Sequence, residues 1–139
     1  MAGKARAGVL RHALESCIEG DVTALSTIFT DDVSGWSPNM LVASLGELTE
    51  TVADRDGSLS DVELQIHAID VVGDKGYVEY SVSAVFSGPF VIDRDRVIEP
   101  NGNAIVLGAA MVAEFRGDKI AVFRNYFDDA SLMEQMLFA

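Results

Sequence analysis

The hydrophobic period of this chain changes from helical to strand-like near Asp61, and that change limits the fold more than any single residue does. Before it, apolar residues recur three and four apart: Val9, Leu10, Ala13, Leu14, Cys17 and Ile18 share one face of a helix. After it, Val62, Leu64, Ile66 and Ala68 alternate with Glu63, Gln65 and His67, the period of a strand with one buried face. Helices first and strands afterwards define an α+β domain.

Punctuation residues divide the rest. Gly20 follows the first helical stripe where a C-terminal stop is expected, and Asp21 is placed to cap a second helix carrying Val22, Leu25, Ile28 and Phe29. An extended piece, VSGW, precedes Ser37-Pro38, which reads as a cap followed by a proline at the first helical position. The third helix would then carry Leu41, Leu45, Leu48 and Val52 and dissolve in ADRDGSLSD. Beyond Asp61 the turns GDKG and RGDK separate GYVEYSVSAVF, AIVLGAAMVAEF and IAVFRNYF. The charged segment GPFVIDRDRVIEPNGN reads as a loop, and DDASLMEQMLF as a C-terminal helix.

Bulk composition narrows the partners. With 139 residues, 49% of them apolar, the chain suits one packed domain. The 22 acidic residues against 10 basic give a net charge of -12, which repels nucleic-acid backbones and anionic membranes, so neither is an expected partner. The single cysteine, Cys17, cannot form an intrachain disulfide and sits on the helical stripe as a core residue. No signal-peptide run and no bilayer-length apolar stretch occurs, which makes the cytoplasm the expected location. His12 and His67 have no second ligand at metal spacing, so neither a metal nor a cofactor is expected.

The element order, the segment EFRGDKIAVFRNYFD and the helix ASLMEQM resemble the SnoaL-like branch of the nuclear transport factor 2-like superfamily, which includes polyketide cyclases, ketosteroid isomerases and limonene-1,2-epoxide hydrolases. The resemblance implies one cone-shaped domain over residues 1–139, in which a curved antiparallel sheet wraps N-terminal helices. It also implies an apolar pocket at one end and a tendency to dimerise. The catalytic sets of those relatives are not matched. The epoxide hydrolases carry an acidic residue where Asn125 stands and an Arg with a second carboxylate where Tyr80 and Val82 stand. Ketosteroid isomerases carry their Asp, directly before a proline, where Ser37 stands. Asparagine neither gives nor takes a proton near neutral pH.

Strand alternation puts Phe123, Asn125 and Phe127 on one face, expected to be concave, with Trp36 and Tyr80 as neighbouring lining. Asn125 offers a donor and an acceptor for a ligand carbonyl or hydroxyl. Asp128, matching the second acid of the family motif, and Tyr80 are the candidate catalytic groups. Asp128 and Asp129 also stand where carboxylates cap helices, and both roles stay open. Arg124 is expected to pair with a carboxylate rather than a ligand. In AIVLGAAMVAEF both faces are apolar, so the strand needs cover on two sides, which predicts a sheet-to-sheet homodimer. Two functions follow: a small-molecule enzyme of isomerase, cyclase or hydrolase type acting on an apolar polyketide, terpene or steroid-like substrate, or a non-catalytic binding or dimerising module.

Overall fold

A computed structural model describes residues 2–138. Helix α1 (Ala2–Glu19) ends at Gly20, whose φ of 74° lets the Asp21 amide turn back to the Ser16 carbonyl at 2.9 Å. The Asp21 side chain then caps α2 (Val22–Ile28). From there the chain departs from the expected third helix. Phe29–Ser37 forms β1 and Met40–Val42 forms β2, an antiparallel pair turning at Pro38 and Asn39. Ser37-Pro38 is therefore the end of a strand and not a helix start. Helix α3 (Leu45–Arg55) is instead capped seven residues later by Ser44, whose hydroxyl accepts from the Glu47 amide at 3.1 Å, while the Glu47 carboxylate accepts from Ala43 N–H at 3.0 Å.

Strands β3 (Leu59–Val72), β4 (Lys75–Phe86), β7 (Ala104–Arg116) and β8 (Lys119–Phe127) carry most of the sheet, in the order β2-β1-β8-β7-β4-β3. All neighbours are antiparallel except β1 and β8, which run parallel, so the sheet is mixed. The expected loop after β4 holds a small hairpin of β5 (Phe90–Asp93) and β6 (Arg96–Ile98), with Asp93 and Arg96 ion-paired across its turn. Helix α4 (Asp129–Leu137) closes the described chain.

One bulge alters the expected face of β3. Ile66 pairs with Tyr80 and Ala68 with Glu79, leaving His67 as the extra residue. Past it the inward phase moves to Ile69 and Val71, and Ala68 is exposed. The main core lies between α1, α2, α3 and the inner face of the sheet, around Leu10, Leu14, Leu25, Phe29, Leu48, Val78 and Ile120. A second cluster of Phe86, Phe90, Ile105, Leu132 and Met136 joins α4 to the β5–β6 hairpin. The two clusters flank a hollow.

Candidate functional site

That hollow is a cavity of about 640 Å³ walled by both clusters, within the size range of small-molecule pockets. Its walls are mainly apolar: Leu14, Leu48, Val52, Leu64, Val82, Phe90, Ile105, Leu107, Met111, Leu132 and Met136. Carboxylates stand along its rim from Glu15, Glu19, Asp56 and Asp61, the last three exposed.

Polar side chains on the floor come from four elements. Tyr80 of β4 is buried, and its hydroxyl donates to Asn125 Oδ1 on β8 at 2.7 Å. Burial pushes the Tyr80 phenol up to about 12, so it is neutral and fully protonated near pH 7. With its carbonyl oxygen taken by Tyr80, Asn125 makes no hydrogen bond through its amide N–H groups among the described residues. The parallel register Gly35↔Phe123 and Trp36↔Arg124 brings Ser37 level with Asn125 one step on. Ser37 Oγ donates to Asn39 Oδ1 at 3.0 Å, and the same oxygen accepts from Arg55 Nη1 at 3.2 Å. Tyr80, Asn125, Ser37, Asn39 and Arg55 thus form a polar strip across an apolar hollow, and all five line it. Cys17 lies on the wall as well, and burial pushes its thiol up to about 12, so it is not a thiolate nucleophile near pH 7.

Of the residues singled out from sequence, Tyr80, Phe123, Asn125 and Phe127 line this cavity. Trp36 does not. In β1 the inward positions are Val33, Gly35 and Ser37, so Trp36 projects from the opposite face and packs on Tyr126, with ring centroids 5.3 Å apart. Asp128 also lies off the lining. It is the N-cap of α4, and its carboxylate accepts from the Ser131 amide at 3.1 Å. Arg124 pairs with Glu114 at 3.0 Å. His67 is exposed and shares a 2.6 Å hydrogen bond with Ser81 Oγ. Among the described residues no group of three potential metal ligands converges, and no helix is long and apolar enough to cross a membrane.

Asn39 and Arg55 did not emerge from the sequence. Their signal was faint: Arg55 is a lone cation ending a helix whose other charged residues, Glu47, Glu50 and Asp54, are acidic.

A helix-lined mixed sheet enclosing an apolar hollow with a short polar strip is a fold of the nuclear transport factor 2-like type. Residues 10–123 match the model of the SnoaL-like domain, and the chain belongs to that family. A Jannaschia sp. CCS1 protein described as a SnoaL-like polyketide cyclase superposes with a TM-score of 0.83 at 12% identity, over 96% of this chain and 92% of that one. TsrD from Streptomyces laurentii gives 0.77 at 18% identity, over 94% and 92%. An LEH-like epoxide hydrolase of M. tuberculosis gives 0.74 at 14%, over 99% and 92%. At these identities the likeness is one of fold. No curated protein matches the sequence.

Proposed function

We propose that the chain is a SnoaL-like small-molecule enzyme, of isomerase or cyclase type, that holds an apolar polyketide, terpene or steroid-like ketone and polarises its carbonyl oxygen. The observation that supports this is the Tyr80–Asn125 pair inside an otherwise apolar cavity. An amide N–H in a site of low polarity stabilises negative charge developing on a carbonyl oxygen as solvent water takes the proton of an adjacent C–H. The neutral phenol of Tyr80 fixes the amide so that its donors face the ligand. Epoxide hydrolysis, which in the related hydrolases uses an acid where Asn125 stands, fits this floor less well.

A second reading, a binding module without turnover, draws support from one feature: no carboxylate or histidine hydrogen-bonds the Tyr80–Asn125 pair among the described residues. Incubating the protein with an aromatic or steroid ketone in D2O separates the two. Deuterium entering next to the carbonyl, and falling at least tenfold in Asn125→Leu, supports the enzyme. Saturable binding without exchange supports the module.

The same reading includes a homodimer through the outer sheet face. Trp36, Val106 and Tyr126 are exposed there, beside half-buried Ala110, Val112 and Val122, a patch of the kind that self-association covers.

A further inference from the structure

Arg55 is the cationic residue of the cavity wall, and the hydrogen bonds around it leave part of it uncommitted. Its Nε donates to the Val91 carbonyl at 3.1 Å, Nη1 to Asn39 Oδ1 at 3.2 Å and Nη2 to the Asn39 carbonyl at 2.7 Å. A guanidinium has five N–H donors, so one on each Nη is left over. No carboxylate reaches ion-pair contact with it among the described residues. The plane lies over the Phe90 ring, 4.8 Å from its centroid, which fixes its orientation at the hairpin end of the hollow.

Two neighbours bear on its charge. Burial weakens the hold of Arg55 on its proton, while Asp129 and Asp54 act from a distance to keep it. Asp129 Oδ1 is itself buried without a hydrogen-bond partner. A cation held in place on three carbonyl-type oxygens, stacked on an aromatic ring and short of a counter-ion, is a donor awaiting an acceptor.

We propose that Arg55 is a second ligand-binding residue, which takes an sp² acceptor oxygen at the hairpin end of the cavity while Asn125 takes another on the floor. The ligand is then an extended apolar molecule with acceptor oxygens at two separated points. The exposed carboxylates of Glu19, Asp56 and Asp61 at the rim oppose entry of anions, so a neutral carbonyl is favoured over a free acid. This inference rests on the reading of the cavity as a ketone-binding site.

Anthracene and anthraquinone, alike in shape but differing by two opposed carbonyl oxygens, are the probes, with anthraquinone-2-carboxylate as the anionic arm. The wild-type protein should bind anthraquinone more tightly than anthracene, and Arg55→Met and Asn125→Leu should each cut that preference about tenfold. The carboxylate should bind more weakly than anthraquinone; tighter binding that is lost in Arg55→Met would keep Arg55 as an anchor and overturn the preference for neutral ligands. Because Arg55→Met also releases Val91 and Asn39, the side-chain Nε signal of Arg55 is followed by NMR in the unaltered protein. It should move with anthraquinone and stay put with anthracene. If both probes bind but the preference survives Arg55→Met, or the Nε signal ignores the carbonyls, the inference fails alone. If neither probe binds the wild type, the ketone-site reading fails with it.

Discussion

Tyr80 and Asn125 stand 45 residues apart and meet across the sheet, the phenol donating to the amide oxygen at 2.7 Å. Each satisfies a buried polar atom of the other. Tyr80→Phe and Asn125→Leu should each destabilise the fold by about 1–3 kcal/mol, because each leaves one partner without a hydrogen bond. The double variant should cost less than the sum, and urea unfolding of all four proteins measures the coupling.

Asp128 gives a contrasting case. Its carboxylate serves the first turn of α4, so Asp128→Ala should lose about 1 kcal/mol of stability, while Asp128→Asn, still able to cap, loses little. Ketone binding and deuterium exchange should survive Asp128→Asn. A tenfold fall in exchange with binding intact would make Asp128 a base rather than a cap.

The alkaline limb of stability follows from two buried acids. Burial raises the Cys17 thiol from 9.0 and the Tyr80 phenol from 10.0, each to about 12. Both groups are neutral when protonated, so the folded state keeps protons that the unfolded chain releases. Their contribution is complete below pH 9 and is lost as pH rises toward 12. Unfolding free energy should begin to fall near pH 9 and steepen past 10, by up to about 1.4 kcal/mol per pH unit for each group. Cys17→Val should remove the earlier part of the decline and Tyr80→Phe the later part.

Gly35 is a packing requirement. A side-chain carbon added there would run into the Phe123 ring, which lies against Phe29 at a centroid distance of 5.5 Å. Gly35→Ala should cost about 1–3 kcal/mol by overpacking. In contrast, Gly46→Ala in α3, where only Ser44 Oγ comes near, at 3.8 Å, should be neutral or mildly stabilising.

The proposed self-association has a built-in reporter. Trp36 is the single tryptophan and lies 40% exposed on the outer sheet face. Sedimentation should give twice the 14.9 kDa of one chain. Val106→Lys should halve that mass and shift the Trp36 emission to the red. A monomeric wild-type protein, or emission indifferent to the substitution, would leave this face solvated.

Much of the architecture was legible because period is a local signal: the first helix, the four long strands and the final helix all announce themselves in spacing. The errors share a different cause. Ser37-Pro38 carries a helix-start signature as strong as the true one, Ser44 to Glu47, and only pairing of Trp36 with both Leu41 and Arg124 decides for a strand. Ala68 is exposed because a bulge at His67 spends one residue, which alternation alone does not reveal. Trp36 was assigned to the cavity by its chemistry, whereas its side is fixed by Gly35 and Ser37 facing inward. Arg55 was missed because its partners, Asn39 and Val91, are backbone and amide groups 16 and 36 residues away.

The grip of α1 on the sheet bears on how the chain reaches this state. Arg6 donates to the carbonyls of Gly73 at 2.7 Å and Gly117 at 2.9 Å, turns that lie 67 and 111 residues downstream, and covers Phe115 from 5.1 Å. Neither turn exists until its hairpin has closed, and closing such long loops is slow. Until then the helix has its apolar face, with Leu10 and Leu14, open to solvent or to other chains. An element made early in synthesis is therefore docked late, and the interval between the two is when this chain is most exposed to aggregation.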